Sequence, residues 1–584
     1  MRSLRRVGSI GITAALAAAS QTFTPAPRLA AQTSSATTVN WALHNLDLAG
    51  SRFSPMTQIN RANVKTLVPR WLFQHGVIDG VSNQTTPVVV DGRMYVTDSR
   101  GSVYALDAAD GHLLWSYDVT GLLGGGAREG YVFRNRGVVY ANGVVYAAAG
   151  SFLFAFDAAT GKPMSGFGNN GQASVILDVL RERYPDVKTA ISMGYWFTTA
   201  PQYYNGVLYI GSTRSESHIP GGHVLAVDAK TGKVLWVFNT VPQNEKDQGW
   251  DIAGPTWVGG ERNGGGIWET PAIDPALGMI YVAVGNPYGD SKKREGTNLF
   301  SDSIVALTLN NGTLKWYYQQ THHDVWDYDS GGPPTLFDMQ VGGRTVRALA
   351  QASKNGYLYI LNRETGQPVH PIREMPVPPD DRPGEHAWPT QPIPFTASGK
   401  PMEPVCPIVP MDISPAHLEK NTIVPNFSAP KPNVVMAPGT GGGANYSPIA
   451  YSSQTGLLYV NAIDQPFNGG PGRGAKGYFS AYDPTTGELK WRQIFEGFGQ
   501  GGSVVTAGGV VFVGSGSNVA GYFFAFDAKT GEPLWKFNTG AGVFSSPSVY
   551  LANGEQFVAV ASGGGERGRR GGDLILSFAL PPNN

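Results

Sequence analysis

One phrase returns along this chain at long intervals: a short hydrophobic run holding Ala, then Asp, three residues, Gly, three residues, Trp. It reads VYALDAADGHLLW at Val103–Trp115, VLAVDAKTGKVLW at Val224–Trp236, IVALTLNNGTLKW at Ile304–Trp316, FSAYDPTTGELKW at Phe479–Trp491 and FFAFDAKTGEPLW at Phe523–Trp535. Weaker copies without the Trp are LFAFDAATGKPM (Leu153–Met164) and LYILNRETGQPV (Leu358–Val369). In most of them a period-two strand enters a turn built on Asp and Gly, and a second strand leaves it; Thr308 and Asn362 stand at the Asp position in the other two. A self-similar unit at long period is the mark of a radial or stacked architecture.

Most copies follow another short strand pair, such as TPVVVDGRMYVTD (Thr86–Asp98) or GGVVFVGSG (Gly508–Gly516). Four strands per unit is the anatomy of a propeller blade, and a large flat Trp recurring once per unit suits a wedge between neighbouring sheets. Seven copies are recognisable. An eighth blade is expected from the two chain ends, with Asp573–Leu580 pairing against Val68–Gln74, because such closure removes the free edges of the ring. The expectation is an all-β, eight-bladed β-propeller. Helical patterning is confined to Ser174–Tyr184, inside an insertion.

The remaining sequence narrows the function classes. Lys and Arg balance Asp and Glu at 44 each, without basic runs, which argues against nucleic acid as a partner. Cys406 is the only cysteine, so there is no intrachain disulfide, no thiolate metal cluster and no C-x-x-C-H for covalent haem. Arg2, Arg5 and Arg6 precede an apolar, small-residue stretch at Val7–Ala19, and Leu29-Ala30-Ala31 suits cleavage. Residues 1–31 are therefore expected to be an export signal and residues 32–584 a single propeller catalytic domain, periplasmic or at the membrane surface.

Two regions break the turn-rich background. HHDVWDYDSGGPPTL (His322–Leu336) concentrates His, Asp and aromatic residues directly after a Trp repeat, and QASKNGYLYILNRETG (Gln351–Gly366) opens with Lys354 before an apolar strand. Asp327 and Asp329, two apart on an extended segment, would face one side, and a cation would relieve their repulsion. Oxygen ligands of this kind favour a hard ion such as Ca²⁺. Asp324 reads as a turn residue.

With these motifs the chain resembles the pyrroloquinoline-quinone (PQQ)-dependent alcohol/glucose dehydrogenase superfamily, from Trp41 to the last strand. Its Trp repeats match the tryptophan-docking motif of that family. The resemblance implies a catalytic aspartate in a W-D pair, here Trp326-Asp327. It implies metal ligands Glu216 (in GSTRSE), Asn286 (in YVAVGNP), Asp327 and Asp329. It implies that Trp268, in GGGIWE, stacks on the planar cofactor, and that Arg136, in RNRGVVY, binds a cofactor carboxylate. Lys354 would lie near the quinone oxygens, Asn445 (in GGANY) would contact the cofactor, and Thr199 (in TTAP) would make a weaker contact. The residue types suit the task, since a flat tricarboxylate wants an aromatic floor and cationic clamps.

Departures are visible as well. The adjacent cysteines of many alcohol-oxidising members are absent from GLLGGGAREG (Gly121–Gly130), Gly266 stands for a Thr, and Asn445-Tyr446 stands for Asn-Trp. Lys354, the HHDVWDYD string and GEHAWPTQPIPF (Gly384–Phe395) lean toward the glucose branch. Asp329 also resembles lanthanide-using members. The implied activity is oxidation of a sugar or alcohol with PQQ and Ca²⁺ or a lanthanide, with electrons passing to a separate ubiquinone or cytochrome c. The competing expectation is a non-catalytic propeller scaffold of the outer-membrane assembly type. Such a scaffold has no need of Asp327, Glu216, Asn286, Lys354 and Arg136 together.

Overall fold

The computed structural model describes residues 39–78, 81–122, 134–212, 218–471, 474–516, 521–564 and 571–582. Within these, antiparallel strands build eight radial sheets. The first blade is Val88–Val90, Arg93–Thr97, Val103–Asp107 and Leu113–Tyr117. The last is Ser548–Ala552, Glu555–Ser562, Leu574–Ala579 and, as its outermost strand, Val68–Gln74. The two ends of the chain thus share one blade, as expected, with Phe73 opposite Ile575 and Leu72 opposite Leu576.

The local chemistry of the repeat explains its spelling. The Ala lies directly across from the Trp in each full copy: Ala105 pairs with Trp115, Ala226 with Trp236, Ala306 with Trp316, Ala481 with Trp491 and Ala525 with Trp535. In all five a bulge follows at once, between the Ala and the next residue. A bulge increases local twist and re-aims the partner side chain, here the indole, toward the adjacent blade. The Asp closes its own turn, as where Asp107 Oδ1 accepts from Ala109 N at 2.8 Å.

The Gly is required by the neighbouring blade. Gly111 has φ +79°, and a Cβ there would lie 2.6 Å from the Trp71 ring. Gly366, φ +73°, stands in the same relation to Trp316 at 2.7 Å. Each indole therefore lies flat on a turn that only Gly can make. Its N–H then donates to the carbonyl beside that turn, Trp71 to Ala108 at 3.1 Å, Trp115 to Ala158 at 3.0 Å and Trp316 to Arg363 at 3.1 Å. Trp71, which belongs to no recognisable copy of the phrase, is the docking residue of the blade assembled from both ends.

The two copies without Trp lack a full fourth strand. One has only Gln172–Ala173 there, and the other sheet stops at three strands, Thr335–Val341, Arg344–Ala352 and Leu358–Asn362. Their downstream turns are filled otherwise, Gly232 by Phe167 and Ala173, and Gly487 by Met402 and His370. The expected helix is present as Val175–Arg183. The long segment between Leu361 and Ala450 forms a hairpin, Ile372–Pro376 with Thr390–Pro394, and then packs against the loop carrying Trp326. Among the described residues, no helix is long and apolar enough to cross a membrane.

Candidate active site

The ends of neighbouring blades bring Asp327, Asp329, Lys354 and Asn286 together. Asp327 and Asp329 lie in the loop after the strand Leu314–Gln319. Lys354 lies in the hairpin loop between Arg344–Ala352 and Leu358–Asn362, and Asn286 follows Met279–Ala283. Lys354 Nζ stands 3.0 Å from Asp327 Oδ1 and 2.7 Å from Asp329 Oδ2. The other oxygen of Asp329 accepts from Asn286 N at 2.8 Å. The Lys354 side chain is 2% exposed and that of Asp329 0%, against 25% for Asp327. A buried ammonium must be paired to be tolerated, and these two carboxylates pair it.

The shared facing of the two aspartates has a different origin from the extended segment expected. Asp327 has φ +67°, in the left-handed region. The reason is Asp324, whose carboxylate accepts from Trp326 N at 2.7 Å and Tyr328 N at 2.6 Å and so wraps the chain around itself. Asp324 is the turn residue expected, but a buried one, and burial pushes its carboxyl up to about 6 despite those two bonds. Asp302, fully buried nearby, is held well above the usual carboxylate range by burial first and then by Asp324 and Asp329. Arg294 acts against both shifts.

A second group surrounds Arg136 and Trp268. Arg136 Nη1 donates to Trp268 O at 2.8 Å, Thr198 Oγ1 at 2.9 Å and Thr198 O at 3.2 Å. Its guanidinium carbon lies 4.6 Å from the Tyr446 ring centroid and 5.7 Å from that of Trp268. Nε is 3.2 Å from Glu269 Oε1. Burial pushes the Glu269 carboxyl up to about 8, with Arg136 pulling the other way. Thr199 is buried with its hydroxyl 2.8 Å from that of Thr270, so Thr198 is the threonine that meets Arg136.

Gly331 joins the two groups. A methyl there would come 3.1 Å from Asn445 O and 3.2 Å from Trp268 Cζ2, so the aspartate loop runs against both residues. The structure thus gathers Asp327, Asp329, Lys354, Asn286, Trp268, Arg136 and Asn445, with Thr199 at the margin. Glu216 lies outside the described residues, as do residues 1–31 and most of the Gly121–Gly130 stretch.

A cleft of about 470 Å³ opens beside Asp327, lined by Asn286, Tyr288, Arg294, Asp324 and Arg382 among others. Two buried atoms are open to a bound group, one of them, Asn286 Oδ1, on a residue lining this cleft. Asn286 Oδ1 and Trp268 Nε1 have no hydrogen-bond partner among the described residues. Asn286 Oδ1 with the carboxylates is an oxygen donor set for a hard cation. The described residues contain no cluster of three His, Cys, Asp or Glu arranged to hold a metal by themselves. Trp268, Arg136 and Lys354 suit a flat anionic cofactor.

Some residues at the site escaped the sequence reading. Glu269 was legible as an acid following the Trp of a Gly-rich stretch. Asp302 and Thr198 carry no pattern.

The PQQ family model described as "Glucose/ethanol/alcohol dehydrogenase, beta-propeller domain" matches residues 41–470 and 494–558. The quinohemoprotein alcohol dehydrogenase of Comamonas testosteroni is 30% identical over 577 residues, which span 91% of this chain and 73% of that protein. The quinoprotein alcohol dehydrogenase PedH of Pseudomonas putida is 31% identical over 587 residues, or 92% of this chain and 90% of that one. The crystal structure of the Comamonas enzyme matches with a TM-score of 0.73 at 29% identity, covering 93% of this chain and 81% of that one. A europium-containing methanol dehydrogenase shares the fold, with a TM-score of 0.70 at 24% identity over 93% of this chain and 98% of that one.

Proposed function

Because this chain belongs to the PQQ-dependent alcohol dehydrogenase family, quinoprotein enzymes acting on CH–OH groups, we propose that it oxidises a small hydroxyl compound at the Asp327 cleft, using PQQ and a metal ion. The observation that carries the site assignment is the contact of Lys354 Nζ with both Asp327 and Asp329, beside the unpartnered oxygen of Asn286. When bound, PQQ supplies a hydride-accepting quinone, and the metal ion supplies a Lewis acid beside it.

The residues do the rest. Asp327, the more exposed of the two aspartates and a lining residue of the cleft, takes the substrate hydroxyl proton as general base. Asp329 stays buried and holds Lys354 in place. Lys354, held by both carboxylates, would border the oxygens of the cofactor. Trp268 would be the aromatic floor, Arg136 would face a cofactor carboxylate, Asn445 and Thr199 would border the cofactor, and Asn286, Asp327, Asp329 and Glu216 would give oxygens to the metal.

The relatives named above are alcohol dehydrogenases, which supports an alcohol. The polar lining of the cleft, with Arg382, Arg294, Asp290 and Tyr288, supports a hydroxyl-rich one, a polyol or sugar. The oxygens of Asn286, Asp327, Asp329 and Glu216 would serve Ca²⁺ or a trivalent lanthanide alike. On this reading the electrons pass to ubiquinone or cytochrome c, which replacing an artificial acceptor by each of the two in turn tests. The leader-like segment before residue 32 supports export to the periplasm, which cell fractionation tests.

The deciding experiment reconstitutes the purified protein with PQQ and either Ca²⁺ or La³⁺, then screens alcohols, polyols and aldoses with an artificial electron acceptor. Turnover that requires both additions is expected. No turnover on any substrate with either metal would reject the proposal.

A further inference from the structure

Asn426 lies in the long insertion, between the short strands Thr422–Ile423 and Val434–Val435. It is 8% exposed, and its amide is bonded at both ends. Oδ1 accepts from the Tyr328 hydroxyl at 2.9 Å and from Phe427 N at 2.8 Å. Nδ2 donates to the Asn355 carbonyl at 3.1 Å. Phe427 N, which can only donate, meets the oxygen and the Asn355 carbonyl, which can only accept, meets the nitrogen, so these partners fix which way the amide points.

The bonded residues are the immediate neighbours of the ion pair. Tyr328 sits between Asp327 and Asp329, and Asn355 follows Lys354. One planar group therefore ties the aspartate loop to the lysine loop. Adjoining residues strengthen the tie. The Phe427 ring meets Trp326 edge-on at 5.3 Å and Tyr328 at 5.6 Å, and Trp326 Nε1 donates to Ser428 O at 2.7 Å. The Tyr328 hydroxyl also reaches Pro438 O at 2.8 Å. The residues flanking Asp327 on both sides are thus held by the insertion. Asp327 needs that support, because its left-handed backbone is unfavourable for a residue with a side chain. On the other loop, the Asn355 side chain is anchored to Gln320 O at 3.0 Å and the Tyr359 hydroxyl at 2.8 Å.

We propose that Asn426 is a positioning residue that sets Asp327 against Lys354, so that the insertion is part of the catalytic apparatus. The proposal rests on the reading of Asp327 as the base. Small displacements at such a pair are costly, since about 1 Å of misplacement lowers a rate by roughly 10²-fold.

The test compares Asn426→Ala and Asn426→Asp with wild type and with Asp327→Asn. Asn426→Asp keeps the shape and the Tyr328 bond but sets a carboxylate against the Asn355 carbonyl. The first readout needs no cofactor: acylation of Lys354 in the apo-protein by a small amine reagent, followed by mass spectrometry. Wild-type Lys354 is expected to resist, and both Asn426 variants to be labelled several-fold faster. In the reconstituted enzyme, kcat is expected to fall about 10- to 100-fold, with KM and PQQ affinity within about twofold. For Asn426→Asp, the ratio to wild-type kcat should recover as pH falls and the new carboxyl regains a proton to donate. Wild-type labelling and kcat in a folded variant would overturn the proposal. So would a fall in kcat matched by equal losses in KM and PQQ binding, which marks general loosening. If Asp327→Asn keeps full activity while the Asn426 variants still expose Lys354, the tie stands as geometry, and it is the reading of Asp327 as base that fails.

Discussion

The indole nitrogen of Trp535 donates to the carbonyl of Leu67, 3.2 Å away and 468 positions earlier in the chain. The seventh blade is thereby docked onto the N-terminal strand of the eighth, by the same contact that joins consecutive blades elsewhere. Ring closure uses the ordinary blade-to-blade bond as well as the shared sheet of Val68–Gln74 and Leu574–Ala579.

The contact makes turn and indole interdependent. Gly366→Ala is expected to destabilise the protein through both its φ of +73° and its collision with Trp316. Trp316→Ala, at a buried site, should cost about 3–5 kcal/mol. In the Trp316→Ala background the collision is gone, so Gly366→Ala should cost less there, by about 0.5–3 kcal/mol. Urea unfolding of the four proteins measures this coupling. Strict additivity would show that ring and turn do not meet.

Trp268 and Trp115 should separate binding from stability. Trp268→Ala is expected to weaken PQQ binding far more than Trp115→Ala does, because Trp115 is committed to the Ala158 carbonyl and the turn of the next blade. Quenching titrations of the apo-proteins decide this. Equal PQQ affinity in wild type and Trp268→Ala would remove Trp268 from the cofactor site.

The two aspartates should differ in kind. Asp327→Asn is expected to fold and bind PQQ, yet lose about 10²–10⁴-fold in turnover at saturating metal. Asp329→Ala strips a fully buried partner from Lys354, and breaking such a pair costs about 3–5 kcal/mol. That variant should unfold earlier and need more metal for its remaining activity. An Asp329→Ala protein with wild-type stability and metal dependence would contradict the assignment.

Glu269 gives the apo-protein a pH-dependent stability. Its carboxyl is raised from an ordinary 4.5 to about 8 by burial. A raised value means that its contribution is fully present below about 4.5 and is lost as pH rises through about 8. Relative to Glu269→Gln, which cannot titrate, wild type should therefore lose stability between pH 5 and pH 9, on the order of a few kcal/mol. Unfolding midpoints of both proteins at the two pH values test this. An unchanged gap would mean that Glu269 keeps one charge state throughout.

The repeat was readable because each of its letters answers a local demand: Asp for the turn, Gly for the ring above it, Ala for the Trp across the ladder. Trp71 was missed as a docking residue because its blade is split between the chain ends and no complete phrase surrounds it. Trp326-Asp327 and Lys354 stood out as charge in apolar surroundings. The left-handed turn at Asp327 did not, because it arises from the Asp324 carboxylate binding two backbone N–H groups, whereas spacing alone suggests an extended strand. Asn426 had no periodicity to reveal it, since its contacts are set by where the insertion lands.

The docking of indole on glycine runs in one direction around the ring, each blade shaping the turn of its successor, from Trp71 on Gly111 through Trp491 on Gly531. A blade is therefore an adaptor with a plug on one side and a socket on the other, and most blades could be exchanged only with the matching half of a neighbour. Gly232 and Gly487, which receive Phe167 and Met402 in place of Trp, are two joints made without an indole, while Trp535 docks on Leu67 rather than on a glycine turn. Those joints divide the ring into segments that a recombination experiment, natural or designed, can trade as whole units without breaking an indole contact.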